Sequence, residues 1–276
     1  MLQGGLGILT APLGALLLGL IGMPGVMAMD VITALFAIVP LLFVRIPEPE
    51  RRAVAGKSWR AAFVGDVVAG LRYLRGLPGH MALIAYASVI NLFLVPAFAL
   101  LPLLVLHELG GDAGTQAWLT SAVGLGIIGG GLAMGVAGGF GDRVRTAFAA
   151  IVGAGIATLA LGLTPASFLP MAVVAMLAIG LFSAVANGCI LAILQATIAP
   201  EYQGRVFSLM TSLAVGMTPL GLLLATPLAD LAGVRTWYVA GGIVCATMGA
   251  AAFFARPIMQ IEGHAGAEAR LVRISD

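Results

Sequence analysis

The chain has 276 residues, of which 61% are hydrophobic and only 9% charged, with a formal net charge of +2 and a mean hydropathy of +1.08. Soluble domains carry roughly 25% charged residues, so the composition excludes a water-soluble globular domain and places the chain in a lipid bilayer. The net charge of +2 says little by itself, and the two cysteines, Cys189 and Cys245, both inside apolar runs, form no disulfide framework or metal-ligand spacing.

A bilayer core of about 30 Å needs about 20 apolar residues per helix. Eight runs meet this length, near residues 2–21, 25–44, 80–106, 115–137, 146–164, 168–199, 206–230 and 235–256. They are continuously apolar and do not alternate as barrel strands do, so helices must satisfy the backbone. The expected fold is therefore an all-α membrane protein with eight transmembrane helices. The first run lacks a basic n-region and a clean small-residue cleavage site, which reads as a span and not a signal peptide. Its start at Met1, with no flanking polar residues, suggests a chain that begins part-way through an ancestral one.

The second run holds Asp30, about five residues from its outer end and so about 7 Å deep. A carboxylate in a span is a coupling candidate, but one this shallow can reach water and equally serve a helix interface. Two prolines in Ile46-Pro47-Glu48-Pro49-Glu50 then end the helix. In the polar stretch that follows, Trp59, Phe63, Val67 and Leu74 share one helical face. Two readings stand open, a helix lying on the inner membrane surface and a solvated linker, because Arg60 intrudes on that face.

The third run is interrupted by Pro96 and Pro102 and the seventh contains Pro219 and Pro227, so both helices should bend. His107, Glu108 and Asp112 cluster in the loop after the third run and read as solvated, not as a metal site. The fourth run carries Gly126, Gly130, Gly131, Gly135 and Gly139, a small-residue pattern that lets a neighbouring helix come close. Ser183, Asn187 and Gln195 lie on one face of the sixth run, and Asn91 lies in the third. With Phe98 and Met217 they are candidates to line an apolar cavity with sparse polar anchors, suited to bulky amphipathic compounds; the same polar residues could instead join helices.

Thirteen of the fourteen basic residues fall on one side of this eight-span arrangement, and only Arg235 lies on the other. By the positive-inside rule both termini and the 45–79 loop are cytoplasmic, in the inner (plasma) membrane. Pro12-Leu13-Gly14 and Pro219-Leu220-Gly221 recur 207 positions apart in similar apolar settings. Parallel repeats of this kind point to two similar halves, the chain holding the end of one and the whole of the other: residues 1–45, a connecting segment 46–79, a complete half 80–256 and a tail 257–276.

The inner loop Gly138-Gly139-Phe140-Gly141-Asp142-Arg143-Val144-Arg145 resembles the Gly-x-x-x-Asp-Arg-x-x-Arg loop of the major facilitator superfamily, and Pro200-Glu201-Tyr202-Gln203-Gly204-Arg205-Val206-Phe207 resembles the start of its eleventh helix. The resemblance implies that the eight spans are the fifth to twelfth helices of a twelve-helix transporter. The pattern, with Asp30, Thr33 and Phe36, is similar to the exporter branch of macrolide efflux proteins and the enterobactin exporter. It implies secondary-active efflux of drug-like or siderophore-like molecules. Ala11-Pro12-Leu13-Gly14-Ala15 resembles the superfamily's antiporter motif, with Pro12 and Gly14 kept and both outer glycines replaced by alanine. Asp142, Arg143 and Arg145, with Glu201 and Arg205, are the implied cytoplasmic gate; the simpler reading of these charges is that they obey the positive-inside rule.

No enzyme motif, nucleotide-binding loop or metal-binding pattern is present in the sequence, so no catalysis, cofactor, metal or nucleic-acid partner is expected. The expected partners are a small amphipathic substrate, the lipid bilayer and a separate chain supplying the remaining helices. A chain with one complete half is expected not to transport alone. The alternative is a non-transporting membrane scaffold or a degenerate transporter fragment.

Overall fold

The structure is a computed structural model and describes residues 25, 28–29, 32–36, 72, 74–136, 142–259 and 261, without the side chains of Pro200 and Glu201. Pro12, Gly14, Asp30 and most of the 46–79 segment lie outside the described residues. The described elements in chain order are α1 (Pro78–Ala99), the single turn α2 (Leu101–Leu103), a π-helical turn (Leu104–Glu108), α3 (Ala113–Val136), α4 (Arg143–Gly162), α5 (Leu169–Thr197), α6 (Pro200–Ala232), α7 (Val234–Ala252) and the short α8 (Arg256–Met259). No strand occurs among the described residues.

Five of these helices, α1, α3, α4, α5 and one over Tyr202–Ala232 within α6, are long and apolar enough to cross a membrane. The 19-residue α7 opens with the polar sequence Arg235-Thr236-Trp237-Tyr238, which lowers its mean hydropathy and leaves it outside that set. The protein is thus an all-helical, multi-pass membrane bundle, and the third to eighth sequence runs each fall on a helix.

Several starts and stops follow from local chemistry. Pro78, Pro170, Pro200 and Pro257 occupy first-turn positions, where a missing N–H costs nothing. Asp142 caps α4, its carboxylate accepting from Arg145 N at 2.9 Å. Gly233, at φ 85°, makes the reversal between α6 and α7, a conformation that a side chain would strain. The third sequence run is not one straight helix: α1 ends after Pro96, and the chain continues through α2 into the π turn. By contrast α6 continues through Pro219 and Pro227.

The core divides into two clusters. One contains Leu83, Phe148, Ile193, Val206 and Ile258; the other contains Leu104, Leu119, Leu161, Met176, Trp237 and Tyr238, and Phe93 packs against both. Helix α5 packs between α3 and α4, α4 also packs on α7, and α6 lies against α1. Of the glycines expected to admit a neighbour, Gly126 and Gly130 do so, since a Cβ at Gly126 would overlap Leu177 O and one at Gly130 would overlap Leu181 O, both on α5, whereas Gly135 faces open space and Gly139 lies outside the described residues. Gly180 approaches Val123 O from the other side. Leu74, which either reading of its segment would leave at the membrane surface or in solvent, is fully buried with the first cluster.

Candidate functional site

Helices α1, α4, α5 and α6 line an open-sided cavity of about 280 Å³. Its walls are mostly apolar, with Ile84, Leu94, Ile151, Ile190 and Met210 among them. The polar groups are Ser88 and Asn91 from α1, Ser183 and Asn187 from α5, and Thr211 from α6. The spacing of Ser88 with Asn91 and of Ser183 with Asn187 places each pair on one helical face, so two short polar steps meet across the space. None of the described lining residues is ionisable.

The six cavity candidates from the sequence divide evenly. Asn91, Ser183 and Asn187 come together in the cavity, whereas Phe98, Gln195 and Met217 are not among its lining residues. Phe98 is seven positions beyond Asn91 and Gln195 eight beyond Asn187, displacements of about 10 Å and 12 Å along their helices. Phe98 lines a separate apolar crevice with Thr158, Met176 and Tyr238, which shares Leu94 with the cavity. Gln195 stands near the end of α5, where its carbonyl accepts from Gln203 Nε2 at 3.1 Å. Ser88 and Thr211 are lining residues that sequence reasoning missed; their signal was three- and four-residue spacing from Asn91 and Phe207 on otherwise apolar helices.

At one end of the bundle, Asp142 Oδ2 lies 3.0 Å from Arg145 Nε, with both side chains well exposed. The pair belongs to a single helix start, and such surface pairs add little stability. The Arg205 guanidinium stands 5.9 Å from the centre of the Tyr202 ring on the first turns of α6. Arg143 and Arg205 both have further interaction partners. Nearby, His80 Nε2 lies 2.6 Å from Thr197 Oγ1, whose own proton goes to Ile193 O at 2.7 Å, so the imidazole is the donor. This bond joins the start of α1 to the end of α5.

The opposite end contains a correction to the expected solvated cluster. Glu108 is paired, its Oε2 lying 3.1 Å from Arg235 Nε, while Arg235 Nη2 donates to the carbonyls of Glu108 at 3.1 Å and Thr164 at 2.9 Å. The Nε–carboxylate contact is an ion pair without an aligned hydrogen bond. The end of the π turn and the start of α7 bring Glu108 and Arg235 together, a proximity that 127 residues of separation hid. Asp112 caps α3 by accepting from Thr115 N at 2.8 Å. No group of three or more potential metal ligands occurs among the described residues.

The described helices thus form a multi-pass bundle with a neutral, weakly polar cavity between them. The Major Facilitator Superfamily profile matches residues 1–217 and again residues 81–273, and the chain belongs to that superfamily. The chain is 30% identical over 240 residues to macrolide efflux protein A of Streptococcus pyogenes, covering 86% of this chain and 58% of that protein. It is 30% identical over 215 residues to macrolide efflux protein A of Enterococcus faecalis, covering 78% and 66% respectively. A further relative, multidrug efflux pump Tap of Mycolicibacterium fortuitum, is 28% identical over 145 residues, 52% of this chain and 35% of the pump. The chain therefore spans less than two thirds of the length of these relatives. No solved structure matches.

Proposed function

We propose that the protein is a secondary-active exporter of drug-like, amphipathic small molecules. The observation that carries this reading is the cavity of about 280 Å³ with neutral polar anchors at Asn91, Ser183 and Asn187, in a superfamily member whose relatives are named for efflux. An apolar wall accommodates a bulky cargo, and a few polar groups orient it. Those names favour drug-like over siderophore-like cargo.

In this reading residues 80–256 form one six-helix half and residues 1–45 the last two helices of the other, so the eight sequence runs are the fifth to twelfth helices. Segment 46–79 joins the halves in the cytoplasm, and 257–276 is a cytoplasmic tail. The one-sided basic residues support an inner-membrane location with both termini inside. Transport occurs by rocking of the two halves about the cavity. Asp142, Arg143 and Arg145, with Glu201 and Arg205, form the cytoplasmic gate that opens and closes with that motion. Asp30 is the coupling candidate, and Pro12 and Gly14 belong to the antiporter-like segment.

The test is accumulation of a radiolabelled macrolide in cells lacking their own exporters, with the protein expressed from its native locus. Accumulation falls relative to a deletion strain, and replacing both Asn91 and Asn187 with leucine returns it to the deletion level at unchanged membrane abundance. Equal accumulation in the expressing and deletion strains, with the protein present in the membrane, overturns the reading for this cargo.

A further inference from the structure

Four of the five polar side chains of the cavity are chemically one-sided, and Ser183 alone keeps its O–H uncommitted. Ser88 Oγ donates to Ile84 O at 2.8 Å, Asn91 Nδ2 to Ala87 O at 2.8 Å, Asn187 Nδ2 to Ser183 O at 2.8 Å and Thr211 Oγ1 to Phe207 O at 2.9 Å. Each group thus commits a donor to the carbonyl four residues back on its own helix. A hydroxyl has only one O–H, so Ser88 and Thr211 can act only as acceptors towards a guest while these bonds hold. The orientation of both amides follows from the same chemistry: turning either over would set Oδ1 against another carbonyl oxygen. Each asparagine keeps one N–H but presents an Oδ1 with both lone pairs open.

The lining therefore offers more acceptors than donors, and it holds no ionisable side chain to neutralise a charged guest. We infer that this wall is an acceptor surface that selects cargo for N–H and O–H donors, and not for charge as such, with Asn91 and Asn187 as the specificity-determining residues. The inference rests on the cavity being the cargo site proposed above. The class it defines is amphipathic molecules carrying protonated amines or hydroxyls. A protonated tertiary amine fits the surface, because its N–H can point at Oδ1. The N-methylated quaternary ammonium of the same skeleton has the same charge and nearly the same size but nothing to donate. Since an N–H that meets Oδ1 gains a charge-assisted hydrogen bond that the quaternary cargo cannot make, the two cargoes are distinguished by one hydrogen atom.

The experiment compares these two probes, a fluorescent dye with a dialkylamino arm and its N-methyl quaternary derivative, by equilibrium titration of the full-length protein in lipid nanodiscs. The amine is expected to bind about tenfold more tightly, the ratio that one charge-assisted hydrogen bond supplies. Asn91→Leu or Asn187→Leu brings the ratio towards one, mainly by weakening the amine. The ratio in the unaltered protein is itself decisive, so the test does not depend on a variant folding. Ala214→Phe, which fills the cavity from α6, provides the control. Equal affinities that are both lost in Ala214→Phe overturn donor selection and leave the cavity as the cargo site. A tenfold ratio that survives Ala214→Phe, or the absence of binding by either probe, overturns both.

Discussion

Arg235 reaches across the bundle end to Glu108, Nε to Oε2 at 3.1 Å, and its Nη2 bridges the carbonyls of Glu108 and Thr164. One guanidinium thereby ties the end of the π turn, the loop after α4 and the start of α7. The ion pair is partly exposed and so contributes modestly; the two carbonyl bonds, both donated by Nη2, carry more of the effect. Arg235→Ala should lower stability by about 1–2 kcal/mol and Glu108→Gln by less than about 1 kcal/mol. Arg235→Lys should fall near the alanine variant, since an ammonium on a stem one atom shorter cannot reach the Glu108 carboxylate and both carbonyls together. Unfolding in mixed micelles, followed by circular dichroism, ranks the three; a lysine variant as stable as the parent would refute the bridging role.

The glycines of α3 are not equivalent, although the sequence presents them as one pattern. Gly126 lies against the α5 backbone at Leu177, whereas a Cβ at Gly129 would meet nothing within 4 Å. Gly126→Ala must push two helices apart and should cost about 1–3 kcal/mol. Gly129→Ala should be neutral or stabilising by up to about 1 kcal/mol, because alanine favours the helix. The same unfolding assay applied to both variants tests the assignment, which fails if the two shifts have the same sign and size.

This contrast shows what could and could not be read in advance. Helix class and the locations of the runs were legible because a lipid environment allows the backbone few solutions, and apolar length reports them directly. The glycine pattern announced close packing but not which face packed, since that depends on where α5 lies. Asn91, Ser183 and Asn187 were legible because polar side chains are conspicuous in apolar runs. Phe98, Gln195 and Met217 shared the same composition signal, yet helical rise carries the first two about two turns beyond the cavity. The Arg235–Glu108 pair was hidden because a lone charge in a loop looks solvated until the topology supplies its partner.

Asp112 gives a pH dependence that can be located. The Thr115 backbone N–H, followed by the Thr115 hydroxyl, holds its carboxyl below the ordinary value of 3.8. A carboxylate whose folded pKa is depressed contributes its stability fully above the unfolded value, and that contribution is lost as pH falls through the folded one. The start of α3 should therefore loosen on acidification below about pH 4. Asp112→Asn retains an acceptor for Thr115 N but cannot titrate, so it should lack this component of the acid response. Melting temperature measured against pH for the two proteins checks the sign; an identical acid slope would show that Asp112 is not the group responsible.

Helices α6 and α7 pack closely on the stretch of α1 that leads to the break before the π turn. Pro96 has no N–H for Leu92 O, and Pro102 has none for Phe98 O, so the helix is short of donors along this stretch. Trp237 Nε1 donates to Phe93 O at 3.1 Å while its ring stacks on Phe93 at 5.3 Å between centroids, and the buried Tyr238 hydroxyl donates to Ala97 O. Gly221 fits against Leu92 O and the Pro96 ring, where a Cβ would overlap both. Two consecutive residues of α7 thus donate to carbonyls on either side of Pro96 and hold this stretch of α1 in place. Tyr238→Phe removes one donor with little change in shape and should cost about 1–2 kcal/mol, most of it from a carbonyl left dry. Trp237→Phe keeps an aromatic ring against Phe93 but loses the N–H, so its loss should be of similar size and add to the first within about 0.5 kcal/mol if the two donors act independently. The double variant distinguishes this from a shared role: a combined loss no larger than either single one would mean that the first substitution already releases this stretch, making Trp237 and Tyr238 one clamp and not two.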